Sequence, residues 1–291
     1  MILVTGVSGA LGGLVLDRLA RVPGLDVAGG TRTGDGTNTR RVDFDEPGTL
    51  AEAFTGVEVL VFVSAGYAED DVVFTRHGAV IEAATEAGIR HVIYTSLAGS
   101  GDRLTIALAH RWTEARLAEA PFDVTILRNG LYAEIAAGIA AGAAGTAAAT
   151  GVFAAPFGDG KVSVVAREDL ADVAARVAAE AHADLAADGR RRHAGRTYEL
   201  VGTTSVGGDD IAAMLTEVLA RQVRYETASL TGTRAALTEA GLEPYQVGHS
   251  ISMFANLNAG LLEQRDSDLP ALLDGPPRPV LDLVADAVRV R

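Results

Sequence analysis

Short apolar runs alternate with amphipathic segments over the first 130 residues of the chain. The run 57–64 is almost continuously apolar, which is typical of a strand buried on both faces of a sheet. The segment 71–87 instead shows the spacing of a helix with one apolar face, and Gly88 ends it. The predicted strands are 2–5, 26–31, 39–44, 57–64, 91–96 and 123–129, and the predicted helices are 11–21, 71–87 and 103–120.

This alternation predicts an α/β fold of the Rossmann type, with a doubly wound, mostly parallel sheet and helices on both faces. The pattern loosens at 133–150, where nearly every residue is Ala or Gly. We expect a mobile segment there, or a helix with a flexible end, and the stretch 133–155 is a candidate lid over an acceptor. The predicted domains are a dinucleotide-binding domain of 1–131 with returning segments 150–202, and a smaller α/β C-terminal substrate lobe of 132–149 and 203–291.

Composition narrows the function classes. The 291 residues include no cysteine, which excludes disulfides, thiol catalysis and Cys-ligated zinc. A net charge of −13 disfavours nucleic acid as a direct partner, and the basic run 189–195 reads as a solvated loop. No apolar run reaches the roughly 20 residues that span a bilayer, so we expect a cytoplasmic protein without a membrane partner. The scattered histidines predict no metal site.

The stretch TGVSGALG, residues 5–12, places Gly6, Gly9 and Gly12 between a predicted strand and a predicted helix. In that position the pattern indicates a dinucleotide site, with glycines for a tight turn, for approach of a pyrophosphate and for close helix packing. Ser8 also fits a nucleophile elbow. A hydrolase elbow normally follows several strands, whereas Ser8 follows the first strand of the chain. This position disfavours a hydrolase.

Cofactor choice depends on the end of the second strand. NAD-binding folds usually place a carboxylate there for the ribose hydroxyls, whereas this chain has Arg32. An arginine pairs well with a 2′-phosphate, so NADP(H) is favoured over NAD(H), with a solvated loop arginine as the alternative. Asp43, after the third strand, can meet the adenine amine or start a turn.

Several stretches together resemble a known family. They include VTGVSGALG, GTR, VDFDEPGTL, HVIYTSLAG, LAHRWTEARL, VTILRNGLYAE and GRTYELVG, in this order over residues 2–202. The chain resembles the NmrA-like branch of the atypical short-chain dehydrogenases, particularly the type 2 NAD(P)H:quinone oxidoreductases and the triphenylmethane reductases. The resemblance implies an NADP-dependent reductase on a Rossmann fold.

The resemblance also implies where the cofactor and the substrate lie. The phosphate loop would be Gly6, Val7, Ser8, Ala10 and Leu11, beside the motif glycines Gly9 and Gly12. Arg32 would meet the 2′-phosphate and Asp43 the adenine. The ribose and nicotinamide would be bordered by Val63, Ser64, Thr95, Ser96, Asn129 and Gly130, and the substrate by Tyr132 and Glu134.

Catalytic candidates are His110, Tyr132 and Ser96. Members of the wider superfamily use a Tyr-x-x-x-Lys pair, and the positions that resemble that pair are Ile106 and His110. His110 orients the ribose or donates to substrate, or else it is a helix-surface histidine paired with Glu114 at i+4. Without the tyrosine acid, a quinone is an easier acceptor than an isolated ketone, because its reduced anion is far less basic than an alkoxide.

Three functions remain open from the sequence. The first is an NADPH-dependent reductase of quinones or other conjugated small molecules, with catalysis mainly by proximity and alignment. The second is a non-enzymatic NADP(H)-binding redox sensor of the NmrA type, and the third is a tailoring reductase or isomerase of a biosynthetic pathway. Tyr67 is a further substrate-contact candidate, and a homodimer is left open.

Overall fold

A parallel sheet forms the centre of the molecule in a computed structural model, which describes residues 1–36, 39–65, 68–187 and 189–290. The strands are β1 (Ile2–Thr5), β2 (Val27–Thr31), β3 (Thr39–Arg41), β4 (Val59–Phe62), β5 (His91–Leu97), β6 (Asp123–Asn129), β7 (Val152–Ala155), β8 (Lys161–Val162), β9 (Arg196–Leu200), β10 (Val206–Gly207) and β11 (Arg224–Thr227). Seven of them form one sheet in the order β3-β2-β1-β4-β5-β6-β9, with parallel neighbours throughout. The predicted Rossmann fold is confirmed.

Helices cover this sheet on both faces and also form a second core beside it. They are α1 (Ala10–Leu19), α2 (Gly48–Ala53), α3 (Asp70–Glu86), α4 (Ala107–Ala118), α5 (Ala133–Thr150), α6 (Arg167–Ala186), α7 (Gly208–Val218), α8 (Leu230–Glu239), α9 (Pro244–Asn258), α10 (Leu269–Leu272) and α11 (Val280–Arg289). Ile2 and Val4 point to α1 and α6, whereas Leu3 points to the face of α2, α3 and α4. Because both faces are covered, the strands are apolar at successive positions rather than at alternate ones.

A second core lies beside the sheet and contains α5, α7, α11 and β7. β7 pairs with β11 and β8 pairs with β10, in two small sheets. Phe153, Phe157 and Val164 are buried in this second core, although the sequence division placed 150–202 with the dinucleotide-binding domain. Val165 begins the return to the main sheet.

At 133–150 the predicted alternative of a helix is confirmed, but the expectation of a weakly anchored segment is wrong. This stretch is the continuous helix α5, with buried alanines between Ala133 and Ala147, and it packs against α11. Alanine has the highest helix propensity, and small side chains let two helices lie close together. Gly151 ends the helix with φ +74°, as a C-terminal glycine commonly does. The stretch is therefore part of a packed core and not a lid.

The chain leaves the sheet and returns to it at one point. Tyr132 and Val165 form a parallel bridge, with Ala133 N–H donating to the Val165 carbonyl and Val165 N–H donating to the Leu131 carbonyl. Since α5 starts directly after Tyr132 and α6 soon after Val165, the two helices begin side by side at the carboxyl edge of the sheet.

Candidate dinucleotide site

The loop between β1 and α1 has the geometry of a phosphate-binding turn. Gly6 lies in the left-handed region with φ +64°, and Gly9 N–H donates to its carbonyl at 2.9 Å. A Cβ on Gly12 would lie only 2.4 Å from the same oxygen. No side chain caps the start of α1, so its first amides and the positive end of the helix dipole favour an anion.

A cleft of about 550 Å³ opens over this loop, at the carboxyl edge of the sheet. Doubly wound folds bind their ligands at this edge. Most of the predicted cofactor residues line the cleft, namely Gly6, Ser8, Gly9, Ala10, Leu11, Gly12, Arg32, Asp43, Val63 and Ser64, and Tyr132 lines it as well. The structure thus brings together residues from five separate parts of the chain.

The backbone that follows β4, residues 63–65, is fixed by three side chains from three elements. Its successive N–H groups donate to Thr5 Oγ1 at 3.0 Å, to Thr95 Oγ1 at 3.0 Å and to His77 Nε2 at 2.9 Å. Each acceptor is buried. We call this arrangement the β4 clamp, and it holds one wall of the cleft in a single conformation.

His77 is a neutral imidazole in the β4 clamp. Its Nε2 accepts from Ala65 N–H, so the ring proton lies on Nδ1, which is 2.7 Å from Thr113 Oγ1. The Thr113 hydroxyl donates in turn to the Ala109 carbonyl, which leaves its oxygen free to accept from His77. Burial lowers the pKa of His77 to about 3, with a smaller contribution from His110.

Three predicted cofactor residues lie behind the cleft rather than in its wall. Thr95 is in the β4 clamp. Val7 packs with α1 and against Gly29, where a Cβ would lie 2.8 Å from its side chain. Asn129 is buried and shares a side-chain hydrogen bond with Tyr132. These residues shape the cleft from beneath.

Ser96 is part of a charged network that also lies outside the cleft wall. Its hydroxyl donates to Glu114 Oε1, and Arg128 Nη2 donates to Glu114 Oε2 at 2.7 Å. Burial opposes ionisation of Glu114, but the hydrogen bonds from Arg128 and Ser96 outweigh it and lower the pKa of the carboxyl. Arg128 also pairs with Glu199 on β9, so the network connects α4 with three strands of the sheet, β5, β6 and β9.

His110 is bound to Tyr94 rather than to Glu114. Its Nδ1 lies 2.9 Å from the Tyr94 hydroxyl, and it is not among the residues lining the cleft. The pairing with Glu114 expected from the i, i+4 spacing is therefore wrong, because that carboxylate faces Ser96 and Arg128. Burial, and to a smaller extent the positive charge of Arg111, lowers the pKa of His110 to about 4, so the ring is neutral at pH 7.

Tyr132 stands at the start of α5, where α5 and α6 meet. The Arg167 guanidinium carbon lies 4.8 Å from the centre of the Tyr132 ring, in a cation–π contact. Arg167 N–H donates to Glu134 Oε1 at 3.1 Å, which ties the first turns of the two helices together. Burial raises the pKa of the Tyr132 hydroxyl, with smaller opposing effects of Arg167 and Asn129.

A second, small cavity lies on the other side of Tyr132, with a volume of about 30 Å³. Apolar side chains from α5, α9 and the connection around β8 surround it. Its lining consists of Leu131, Tyr132, Ile135, Ala136, Ile139, Phe157, Val162, Val164, Met253, Phe254, Leu257 and Leu262. Tyr132 thus contributes to both the cleft and this apolar cavity.

Sequence reasoning missed several residues of the cleft wall, in particular Arg76, Asp45 and Arg167. Arg76 lies in the second turn of α3. The sequence feature that could have indicated it is its position near the start of the helix that follows β4. The sequence does not show which face of that helix meets the cleft. The other residues missed are Gly30, Thr31, Val42, Phe44 and Ala65.

The predicted substrate contact Tyr67 lies outside the described residues. Within 1–36, 39–65, 68–187 and 189–290, no three His, Asp or Glu side chains are placed to hold a metal ion. Over the same ranges, none of the helices combines the length and the apolar character required to cross a bilayer.

Comparison with known proteins finds a matching family and several relatives that are named as reductases or oxidoreductases. Residues 6–181 match the protein family described as NAD(P)H-binding. Quinone oxidoreductase 2 of Escherichia coli (strain K12) is 34% identical over 252 residues, which cover 83% of this chain and 82% of that protein. Triphenylmethane reductase of Citrobacter sp., solved with NADP(H), superposes with a TM-score of 0.85 at 27% identity and covers 98% of this chain and 99% of its own. The E. coli quinone oxidoreductase QOR2, solved with NADPH, gives 0.84 at 30% identity with the same coverages.

Proposed function

Because this chain belongs to the NAD(P)H-binding family and is an NAD(P)H-dependent oxidoreductase, we propose that it reduces quinones or other flat, conjugated small molecules with NADPH. The observation that carries the proposal is the meeting of two different cavities at Tyr132, one built for a dinucleotide and one apolar. The named substrates of the relatives, quinones and triphenylmethane dyes, are conjugated molecules of this kind.

The residues of the cleft fit a dinucleotide. The uncapped start of α1 offers amides for the diphosphate, at the turn where a Cβ on Gly12 would collide with Gly6. Arg32 would pair with the 2′-phosphate, and Asp43 would meet the adenine amine. NADPH, when bound, supplies the hydride. The β4 clamp then keeps residues 63–65 in place beside it.

The proposed catalytic residues favour an acceptor that needs no strong acid. His110 is neutral because its pKa is about 4, and the Ser96 hydroxyl is bound to Glu114. Burial raises the pKa of Tyr132, so its hydroxyl remains protonated and is suited to donating a hydrogen bond rather than a proton. A reduced quinone is a weakly basic phenolate-like anion, which water can protonate. The chain would therefore contribute orientation and exclusion of water.

In this proposal the acceptor binds in the apolar cavity. Its lining would cover one face of a flat aromatic acceptor, and Tyr132, which lines both the cavity and the cleft, would border the acceptor beside the nicotinamide. Met253 belongs to the lining and is an adaptable side chain that packs well on aromatic rings. A small cavity between packed side chains would widen by side-chain rotation when the acceptor enters.

The first experiment measures turnover. Purified protein is mixed with NADPH and menadione, and the loss of nicotinamide absorbance is followed, with a panel of other quinones and dyes in parallel. We expect oxidation well above the rate without protein. Tight NADPH binding with no oxidation across the panel would instead support the redox sensor. Oxidation of NADPH by unconjugated carbonyl substrates, but by neither quinones nor dyes, would support the tailoring reductase.

The second experiment tests the place of the acceptor. Met253→Gln puts a polar amide into the apolar lining, whereas the control Met253→Leu preserves its character. We expect the glutamine variant to raise the KM for menadione by about 10-fold, since an amide loses solvation there, and to leave the Kd for NADPH unchanged. An equal effect of both variants, or none, would place the acceptor elsewhere.

A further inference from the structure

Arg76 and Asp45 form an ion pair in the wall of the dinucleotide cleft. Arg76 Nε donates to Asp45 Oδ1 and Arg76 Nη2 to Asp45 Oδ2, both at 2.7 Å, which is the fork geometry of a strong pair. The two side chains come from α3 and from the loop after β3, and both line the cleft. Neither belongs to the glycine motif, and the family resemblance gives no role to either residue.

Arg32 and Asp43 line the same cleft, and the pair interacts electrostatically with both of them. Arg32 forms no ion pair with any residue that the structure describes. Arg76, by contrast, binds Asp45 through one edge of its guanidinium group. Two arginines thus face two aspartates there. Because the charges of the two arginines and the two aspartates cancel, net charge alone does not make the site select a 2′-phosphate. The selection depends on which arginine is already paired with a carboxylate.

One part of Arg76 remains available to a ligand. Nε and Nη2 serve Asp45, while Nη1 makes no hydrogen bond within the described part of the chain. An arginine carries five N–H donors, so it can keep its carboxylate partner and still donate to a phosphate. The hydrogen bonds from Arg76 lower the pKa of the Asp45 carboxyl, so its negative charge is present at neutral pH.

We propose that Arg76 is a second cation for the 2′-phosphate of NADPH beside Arg32, and that Asp45 holds its guanidinium in place while opposing the phosphate by its charge. Arg76 and Asp45 would then determine how strongly the protein prefers NADPH to NADH. The inference rests on the cofactor of the proposed function, but not on the acceptor. The preference for NADPH over NADH would then depend on Arg76 in α3 as well as on Arg32 in the loop after β2.

Binding alone tests this inference, by calorimetry with NADP⁺ and with NAD⁺ in the full chain. We expect Arg76→Gln to raise the Kd for NADP⁺ by about 10-fold or more and the Kd for NAD⁺ by less than about 2-fold, as for the loss of a charge-assisted hydrogen bond. The matched control is Arg41→Gln, which breaks another ion pair near β3, to Glu46, in a residue that does not line the cleft. We expect it to change neither Kd.

A double-mutant cycle separates Asp45 from a general effect of charge. Asp45→Asn keeps an acceptor for Arg76 and removes the negative charge, so we expect the Kd for NADP⁺ to fall by about 3-fold, with no fall for NAD⁺. In an Arg76→Gln background the same change should have a larger effect, because it then relieves the repulsion of the phosphate without weakening the placement of Arg76. Equal effects in both backgrounds would overturn the role of Asp45.

The outcomes distinguish this inference from the proposed function. Equal weakening of NADP⁺ and NAD⁺ by Arg76→Gln, or no weakening of either, would overturn the role of Arg76 even if the wild type reduces menadione. Conversely, a selective loss of NADP⁺ affinity would support it even if no quinone is turned over.

Discussion

The dinucleotide cleft and the apolar cavity meet at Tyr132, yet they are built in opposite ways. The cleft depends on backbone geometry within a short stretch, since the glycines of 6–12 and the start of α1 supply its phosphate loop. The cavity depends on side chains from 131–139, 157–164 and 253–262, which lie far apart in sequence. The comparison teaches that a phosphate loop can be encoded locally, whereas the apolar cavity, which is the proposed acceptor site, is encoded by tertiary packing.

The largest expected effect breaks the cleft at its backbone. Gly12→Ala adds a Cβ that would lie 2.4 Å from the Gly6 carbonyl oxygen, so the turn must shift. We expect the affinity for NADP⁺ to fall ~100-fold or more by calorimetry. The control is Gly138→Ala, which adds the same methyl to α5, where nothing lies within 4 Å. If Gly12→Ala binds like this control, the loop does not hold the diphosphate.

The next effect concerns the β4 clamp. His77→Leu leaves the half-buried Ala65 N–H without its acceptor, and the loss of a hydrogen bond typically costs about 0.5–1.5 kcal/mol. We therefore expect the KM for NADPH to rise by about 10-fold while kcat changes less. His77→Gln should restore most of the loss, because its amide oxygen can accept from Ala65 and its NH₂ can donate to Thr113.

The glutamine variant is also the control for folding. A positioning role predicts recovery of KM with His77→Gln, whereas a purely packing role predicts that leucine and glutamine behave alike. A fall of kcat with an unchanged KM for NADPH would contradict the role of the β4 clamp in cofactor binding.

A smaller effect appears with pH. His91 lies at the start of β5, away from the cleft, and burial lowers its pKa from 6.5 to about 4, as it lowers that of His77 to about 3. Between these values and 6.5, the unfolded chain binds protons that the folded chain does not. The free energy of unfolding should therefore fall as the pH is lowered from about 6.5 to 4, by up to about 1.4 kcal/mol per pH unit for each histidine.

Urea unfolding at several pH values between 7.5 and 4.5 measures this slope. His91→Gln should make it shallower without changing the affinity for NADP⁺, since the ring contacts Thr125 and not the cleft. A slope identical to that of the wild type would show that His91 is not the neutral, buried group described here.

The smallest effect tests α5, which borders the apolar cavity. Gly138 is an exposed helix residue with open space around it, so Gly138→Ala should raise the free energy of unfolding by about 1 kcal/mol through helix propensity. Thermal unfolding measures the gain. A mobile segment would show no gain, which would return α5 to the role of a lid.

Much of the fold and of the cofactor site could be predicted because the signals are local. The bounds of β1 and β6 were predicted to the residue, and Gly6, Arg32 and Ser64 line the cleft as expected. The error at 133–150 has a physical cause. An Ala/Gly stretch has no strong apolar face of its own, and the partner that buries it, α11, begins 130 residues after Thr150.

Side-chain direction accounts for the other differences. Thr95 and Ser96 are neighbours at the end of β5, yet one hydroxyl accepts from the β4 clamp and the other donates to Glu114. Their sequence position predicted the right edge of the sheet, but not which groups they meet. Likewise, the i, i+4 spacing of His110 and Glu114 did not reveal that Tyr94 takes the imidazole.

The bridge between Tyr132 and Val165 has a consequence for how such a protein can diversify. The excursion from 133 to 164 departs from the sheet and rejoins it at neighbouring backbone positions, so its two ends are anchored whatever lies between them. Insertions or exchanges within it can reshape the acceptor side at a modest cost in loop entropy, leaving the strand ends that frame the nucleotide undisturbed. A lineage can thus change what it reduces while keeping the reductant.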